Sequence, residues 1–300
     1  MDPARQALLR YVEFLGECGN LYLESRPIPE APATSTFIGQ TQAAASKAEL
    51  PAKSPGRPTA PNPAPRPSRT PASAPGTQTD FLQTPAEEPA LGGRELDEPE
   101  RRRRAEDAMK AVADCRRCVL CRERTQTVYG DGSLMARIVF VGEAPGVEED
   151  RTGVPFVGRA GQLLTRMIEA IGFKRSQVYI CNTIKCRPPG NRDPLPGEKK
   201  ACEPFLIEQL ELIRPQIIVA LGSHAGAYLT GLETSIGKLR RRWHRWRGIP
   251  VMVTYHPAFL LRSPGFKTQA WEDLLMLSAK YAELNPDDKR SVWGRGGLGS

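Results

Sequence analysis

The sequence predicts an α/β fold, namely a three-layer α/β/α domain with a central four-stranded, mainly parallel sheet. Two patterns predict it. Continuous apolar runs of strand length alternate with longer segments of helical periodicity between about residues 105 and 284. The runs lack alternating polar side chains, which is typical of parallel strands buried on both faces. This alternation of strands and helices favours a sheet covered by helices on both sides.

Each predicted strand is a short apolar run. The first reads Arg-Ile-Val-Phe-Val-Gly and the third reads Gln-Ile-Ile-Val-Ala-Leu, and both are rich in β-branched residues. The four strands are expected at 137–142, 177–182, 216–221 and 249–255. Helices are expected at 105–124, 159–172, 198–213, 223–230 and 268–283. A loop rich in Pro, Gly, Asn and Asp, 187–197, follows the second strand.

The remaining regions differ from this domain in composition. Residues 27–104 form a predicted disordered linker that ends in an arginine run, because residues 27–99 hold 15 of the chain's 28 prolines and little apolar surface. Residues 1–26 hold a predicted isolated amphipathic helix, and residues 285–300 a predicted flexible tail. The folded domain is therefore expected at 105–284.

Charge is distributed unevenly along the chain. The first 100 residues carry 9 basic and 13 acidic side chains and residues 101–300 carry 33 and 21, so the C-terminal two-thirds supply all of the net charge of +8. This balance favours nucleic acid as a partner, although a well-solvated surface would look the same. Because no apolar run approaches the roughly 18 residues of a membrane span and no secretory signal begins the chain, we expect a cytoplasmic protein.

Polar segments follow three of the predicted strands. They are residues 142–150, 182–194 and 256–262. The carboxyl ends of parallel strands share one edge of a sheet, where ligands bind in such folds. We therefore expect the carboxylate of Glu143, the amide of Asn182 and the imidazole of His256 to meet in a functional site. His224 and His244 are interpreted as structural, because no motif surrounds them.

The cysteines are clustered and odd in number, seven in all, which favours a metal or cluster site over disulfides. Cys115 and Cys118 form a C-x2-C pair, and Cys186 and Cys202 flank the proline-rich loop. Four thiolates at such spacings can hold either a [4Fe–4S] cluster or a zinc ion. Cys121 extends the first pair, so spacing alone does not fix the ligand set.

Four motifs carry a resemblance to a known family. They are Gly142-Glu-Ala-Pro-Gly146, Gly153-Val-Pro-Phe-Val-Gly158, Asn182-Thr-Ile-Lys-Cys-Arg-Pro-Pro-Gly-Asn-Arg192 and His256-Pro-Ala-Phe-Leu-Leu-Arg262. With them the chain resembles the family 4, iron–sulfur branch of the uracil-DNA glycosylases, from about Asp114 to Leu277. The resemblance implies that fold and a base excision repair enzyme of the bacterial nucleoid. Such an enzyme flips uracil out of single- or double-stranded DNA, hydrolyses its N-glycosidic bond and leaves an abasic site.

The resemblance implies roles that suit the chemistry of the residues. A pocket for a flipped base needs a stacking ring, a reader of the Watson–Crick edge and a donor for the leaving group. Phe156 suits the first role, and Asn182, whose amide both donates and accepts, suits the second. His256 suits the third, because a fixed N–H stabilises negative charge that develops on the base. Glu143 is the carboxylate best placed to orient a water or stabilise the sugar cation.

Further residues are implied around the base and along the DNA. Ala144 is assigned to substrate binding, and Glu149 resembles the family position that crowds the C5 side of the base, although it is also one acid in an acidic run. Leu260 is assigned as an apolar wedge and Arg262 as a phosphate contact. Arg241 belongs to residues 238–246, which combine five basic side chains with two indoles. That stretch suits DNA contact, or equally a charged β-hairpin.

The resemblance also chooses the cofactor. It implies a [4Fe–4S] cluster held by Cys115, Cys118, Cys186 and Cys202, which ties the first helix to the proline-rich loop and leaves Cys121 out. Cys181 lies within a predicted strand and is expected to be buried and inert.

Other functions stay open at this point. One is a non-catalytic or covalently trapping uracil-DNA or lesion-binding iron–sulfur protein, and another is a zinc-stabilised DNA-binding protein without a pocket. A related branch traps the sugar through a histidine near the proline-rich loop, whereas 191–194 contains none. Residues 78–82 faintly resemble the peptides that bind a bacterial sliding clamp. We expect a monomer.

Overall fold

The centre of the molecule is a single six-stranded sheet, seen in a computed structural model that describes residues 96–288. Its strands are β1 (Asp131–Gly132), β2 (Ile138–Gly142), β3 (Tyr179–Asn182), β4 (Ile217–Leu221), β5 (Trp243–Trp246) and β6 (Ile249–Thr254), in the spatial order β1-β3-β2-β4-β6-β5. The four central strands are parallel, and both edge strands are antiparallel to their neighbours. The predicted helix within 1–26, most of the predicted linker and tail, and 78–82 lie outside the described residues.

The predicted fold class is confirmed, with two strands more than expected. The four predicted strands are β2, β3, β4 and β6, and each begins or ends within two residues of its predicted limits. The strand β1 has only two residues, Asp131 and Gly132, so no apolar run in the sequence predicts it. The strand β5 pairs with β6 as a hairpin, which agrees with the hairpin interpretation of residues 238–246.

Eight α-helices surround this sheet within the described residues. They are α1 (Glu98–Ala113), α2 (Val147–Thr152), α3 (Arg159–Ala170), α4 (Pro196–Ile213), α5 (Ser223–Thr230), α6 (Ile236–Leu239), α7 (Pro257–Arg262) and α8 (Lys267–Leu284). Apolar side chains cover both faces of the sheet, because successive strand residues point to opposite sides. Phe140 and Val219 pack with α3, α7 and α8, whereas Val139 and Ile218 pack with α4 and α5.

The first helix differs from its prediction at both ends. It begins at Glu98 rather than at 105, capped by the Asp97 side chain, which accepts a hydrogen bond from the Glu100 N–H at 2.8 Å. The Arg101 guanidinium is buried and donates to the main-chain carbonyls of Leu96 and Leu212. Part of the arginine run therefore belongs to the folded domain, because its charge is satisfied by carbonyls rather than by solvent.

The C-terminal end of α1 changes the setting of the cysteines. The helix ends at Ala113, and Cys115 and Cys118 follow it in an irregular segment. Cys121 lies in a short 3₁₀ turn, Val119–Arg122. Within residues 96–288, no helix is both long and apolar enough to cross a membrane.

Candidate active site

A cavity of about 670 Å³ opens at the carboxyl edge of the four parallel strands. The sheet register places Gly142 of β2 beside Asn182 of β3, and Leu221 of β4 beside Thr254 of β6. The loops after these strands therefore begin side by side. Of the residues proposed from sequence, those lining the cavity are Glu143, Ala144, Glu149, Phe156, Asn182, His256 and Arg262. The structure thus brings the four central candidates, Glu143, Phe156, Asn182 and His256, to one cavity.

Phe156 is held in the cavity in a strained backbone conformation. Its φ of 53° lies in the left-handed region, which is uncommon for a bulky residue. The Arg175 guanidinium donates to the carbonyls of Phe156, at 3.1 Å, and of Pro155, at 2.5 Å. A Cβ at Gly161 would overlap the Phe156 main chain, so only glycine admits this approach. The Phe156 ring lies 5.6 Å from the His256 ring, centroid to centroid, with 34° between the planes.

Asn182 presents an unsatisfied polar atom. Its side chain is 1 % exposed, and its Oδ1 has no hydrogen-bond partner within the described part of the chain. The main-chain carbonyl of Asn182 accepts a hydrogen bond from Lys185 Nζ at 2.8 Å, which fixes the end of β3. A buried acceptor without a partner costs about 1–3 kcal/mol. A ligand that brings an N–H to this atom would recover that free energy.

His256 is prepared to act as a neutral hydrogen-bond donor. It caps α7, and its Nδ1 accepts a hydrogen bond from the Ala258 N–H at 3.1 Å, which leaves the ring proton on Nε2. The pKa of His256 is lowered to about 4, chiefly by burial and also by the positive charge of Arg262, against the opposing effect of Glu149. The imidazole is therefore uncharged at neutral pH.

Glu143 lies directly after β2 and is tied to the next strand by its backbone. Its carbonyl accepts hydrogen bonds from Thr183 Oγ1 at 2.7 Å and from the Ile184 N–H at 3.1 Å. Its carboxylate Oε1 lies 2.5 Å from Nδ1 of His224, whose Nε2 lies 3.7 Å from the carboxylate of Asp193. The backbone anchors and the imidazole together place the carboxylate at the cavity wall.

His224, interpreted from sequence as structural, lines the cavity. A signal for it was present in the sequence. The third predicted strand is followed by Gly222-Ser223-His224, which must reach the same sheet edge as the loops after the other parallel strands. His244, on β5, is different: its Nε2 lies 2.8 Å from the carbonyl oxygen of Leu239, and it is not among the residues lining the cavity.

Glu149 is engaged mainly by the backbone. Its Oε1 accepts hydrogen bonds from the N–H groups of Val157 and Gly158, both at 2.9 Å, and its Oε2 accepts from the Gly146 N–H at 3.1 Å. One carboxylate thereby joins the loop after β2 to the loop that carries Phe156. The structure thus shows Glu149 as a clasp between two loops of the cavity.

Leu260 requires a correction. It is 0 % exposed and belongs to the core, so it is not available as a wedge on the surface. The reason is the helical phase of α7, which turns Leu260 toward the core and leaves Leu261 half-buried and Arg262 exposed. Arg241 is exposed, lies 4.0 Å from the Glu272 carboxylate and is not among the residues lining the cavity.

A second pocket gathers the cysteines. It is lined by Cys115, Cys118, Cys121, Cys186 and Cys202. Arg124 donates to Cys186 Sγ and the Lys185 N–H donates to Cys202 Sγ, both at 3.2 Å. Burial raises the pKa of the Cys118 and Cys186 thiols and raises that of Cys202 to about 11. Cys181 is fully buried in the sheet, packed with a different part of the core.

The donor chemistry of the thiol pocket suits a group that binds several thiolates. The donors are soft sulfur atoms, and N–H groups already point at two of them, as is usual around sulfur ligands of metal centres. Among the described residues, the donor atoms of Glu143, Asp193 and His224 lie within 4.8 Å of one another, whereas no three of the cysteine sulfur atoms do. That group has no cysteine and belongs to the cavity wall.

Comparison with known proteins gives a consistent result. Residues 129–275 match the family model of the uracil DNA glycosylase superfamily. The chain is 49 % identical to a type-4 uracil-DNA glycosylase of Thermotoga maritima over 164 residues, which is 53 % of this chain and 85 % of the relative. It is 43 % identical to the type-4 uracil-DNA glycosylase of Archaeoglobus fulgidus over 189 residues, 60 % of this chain and 95 % of the relative. A type-5 uracil-DNA glycosylase of Pyrobaculum aerophilum is 33 % identical over 145 residues, 42 % of this chain and 63 % of the relative.

Proposed function

Because the chain belongs to the uracil DNA glycosylase superfamily, we propose that it is a DNA repair enzyme of type 4. It flips uracil out of DNA, hydrolyses the N-glycosidic bond and leaves an abasic site. The observation that carries the proposal is the unpartnered Oδ1 of Asn182, buried in a cavity beside the Phe156 ring. An acceptor and an aromatic face together suit a flat base that offers an N–H.

Recognition of uracil follows from these two side chains. Uracil presents an N3–H donor next to the O4 acceptor. The carboxamide of Asn182 offers the matching acceptor and donor, Oδ1 and Nδ2. Cytosine has no N3–H, so with the carboxamide in this orientation it would leave Oδ1 unsatisfied, and sites built on a buried hydrogen bond reject such analogues strongly. Phe156 supplies the stacking surface for the flipped ring.

The leaving group is stabilised by His256. When the N1–C1′ bond breaks, its electron pair goes to the base and the negative charge spreads onto the uracil oxygens. The Nε2–H of His256 is fixed by the bond between Nδ1 and the Ala258 N–H, so it can be directed at O2 without reorganisation. A neutral imidazole serves here because it stabilises the anion by donating a hydrogen bond while keeping its proton.

Water attack is assigned to Glu143. The oxygen of a water bonds to C1′ as the bond to N1 breaks, and the water proton passes to the Glu143 carboxylate. This carboxylate also opposes the positive charge that develops on the sugar. None of the described residues lining the cavity is a lysine, so the cavity wall offers no amine for a Schiff base, and a monofunctional hydrolysis is the reaction proposed.

DNA contact is assigned to the rim of the cavity. Arg262 is exposed at the end of α7 and suits a phosphate contact. Since Leu260 is in the core, the neighbouring Leu261 takes over the proposed wedge function, to fill the gap that a flipped nucleotide leaves. Arg241, in the basic stretch 238–246, remains a proposed contact with the DNA backbone.

We also propose that Cys115, Cys118, Cys186 and Cys202 hold a [4Fe–4S] cluster. Such a group, when bound, would cross-link the segment after α1, the proline-rich loop and α4. The chain's own contribution is the thiol pocket with its two N–H donors, from Arg124 and Lys185. Lys185, which precedes Cys186, donates from Nζ to the Asn182 carbonyl. The cross-link therefore also stabilises the end of the strand that carries Asn182.

The proposal is tested by incubating the protein with uracil-containing single- and double-stranded oligonucleotides, treating with alkali and separating strands on a denaturing gel. Strand cleavage at uracil supports monofunctional excision. An alkali-stable shifted adduct would instead indicate covalent trapping. Intact strands would leave only DNA binding, which a mobility shift of the same oligonucleotides measures.

Three finer properties belong to the same proposal. Sliding-clamp contact through 78–82 is tested by deleting that segment and repeating a clamp pull-down, and an unchanged pull-down would contradict that contact.

A monomeric state is tested by sedimentation of the full chain. Association with the bacterial nucleoid follows from DNA as the substrate, and imaging of a fluorescent fusion checks it.

A further inference from the structure

We infer that His224 is a positioning residue for Glu143, and that its imidazole holds the carboxylate in the orientation that water attack requires. The inference rests on the proposed uracil excision. Its basis is the approach of His224 Nδ1 to Glu143 Oε1 at 2.5 Å. This approach is an ion-pair contact, and within the described region the buried Oε1 has no hydrogen-bond partner, so no described group other than the imidazole is placed to fix it.

A glutamate at this position needs such a partner. Its side chain has three rotatable bonds, and ordering it costs free energy that a contact has to offset. The backbone of Glu143 is anchored by Thr183 and Ile184, but these contacts leave the carboxylate itself free to turn. A donor on Oε1 selects one orientation and leaves Oε2 to accept from a water. Displacement of a reacting group by about 1 Å can cost roughly 100-fold in rate.

The junction of β4 and α5 is built to hold the imidazole in place. His224 is the second residue of α5, and the next residue, Ala225, is 0 % exposed in the core. Gly222 has a φ of 93°, and a Cβ there would lie 3.1 Å from the His256 Cβ. One short junction therefore lies beside His256 and contacts Glu143. The Asp193 contact on the other side is 3.7 Å and its side chain is 79 % exposed, so it adds little.

The test uses single-turnover excision from a uracil-containing single strand by the full chain. His224→Ala should slow excision about 10- to 100-fold, while affinity for a strand with cleavage-resistant 2′-fluorodeoxyuridine stays within about twofold, since the base pocket is intact. Asn and Gln separate the two ring nitrogens. His224→Asn places an N–H near the Nδ1 position and should restore most of the rate, whereas His224→Gln reaches toward the Nε2 position and should not.

A double mutant gives the second readout. If His224 acts through Glu143, then His224→Ala should cause no further loss in a Glu143→Gln background. His244→Ala is the matched control, because that histidine contacts the Leu239 carbonyl and is not among the residues lining the cavity. Equal slowing by His224→Ala in both backgrounds, or a wild-type rate in His224→Ala, overturns the inference. If His224→Ala fails to fold, the Asn and Gln variants decide by the same criterion. Failure of the wild type to excise uracil would instead overturn the proposed function.

Discussion

Gly142 and Asn182 are direct neighbours across the parallel pair β2–β3, and the Asn182 side chain lies where a side chain at Gly142 would lie. A Cβ at Gly142 would fall 2.5 Å from Cζ of Phe156 and closer still to Oδ1 of Asn182. The absence of a side chain at one position therefore allows both base-contacting groups to sit against the sheet. The first glycine of the Gly-Glu-Ala-Pro-Gly motif is therefore required by packing.

Gly142→Ala should remove uracil excision, with a loss of at least about 100-fold, because either Asn182 or Phe156 has to move. Overpacking of this kind also costs about 1–3 kcal/mol of stability, which thermal unfolding measures. Gly197→Ala is the control, since a Cβ there meets nothing within 4 Å. A Gly142→Ala protein that excises uracil at the wild-type rate would contradict the proposed roles of both side chains.

The strands and the sheet edge were predictable from sequence because buried parallel strands leave a strong apolar signal, as in Ile138–Gly142. The edge strand Trp243–Trp246 leaves none, since a polar side chain, His244 or Arg245, interrupts the apolar residues on each of its faces. Leu260 shows a different limit. Whether a helix residue points inward depends on where the helix packs, and the sequence of α7 offers apolar residues on more than one side. His224 could have been predicted in the same way as Glu143, Asn182 and His256, because it also follows the carboxyl end of a parallel strand.

The lowered pKa of His256 predicts acid sensitivity of the fold. The folded protein binds this proton less readily than the unfolded chain does. The free energy of unfolding therefore has its full value above about pH 6.5 and decreases as the pH falls toward the folded pKa of about 4. The loss approaches about 3 kcal/mol below that pH. The difference in unfolding free energy between wild type and His256→Gln should therefore shrink or reverse between pH 6.5 and 4. Denaturant melts at several pH values measure it, and parallel curves would contradict the assignment.

Cys186→Ala should give a colourless, unstable protein that contains little iron. Because Lys185 connects this region to the Asn182 carbonyl, uracil excision should fall as well. Iron analysis, visible absorbance and thermal unfolding provide the measurements. Cys181→Ala is a matched control, because that thiol packs in another part of the core, and it should keep its colour. A colourless wild-type protein with stoichiometric zinc would contradict the cluster.

Glu149→Gln should loosen the loop that carries Phe156. The carboxylate accepts from three N–H groups, whereas an amide has one acceptor oxygen and opposes at least one of these donors with its own N–H. The expected cost is about 2 kcal/mol of stability, with weaker binding of uracil-containing DNA. Glu148→Gln is the control, since the Glu148 carboxylate pairs with Arg151 at an exposed position. Equal behaviour of the two variants in melting and binding would refute the clasp.

Leu260 and Leu261 should respond to truncation in different ways. Leu260→Ala removes a fully buried side chain and should cost about 2–5 kcal/mol of stability, with excision by the remaining folded protein little changed. Leu261→Ala should melt close to the wild type yet excise uracil from duplexes several-fold more slowly, while single strands, which leave no gap to fill, react normally. Thermal melts and single-turnover rates on both substrates separate the two effects. If Leu261→Ala slows both substrates equally, then the residue acts through packing and the wedge lies elsewhere on the rim.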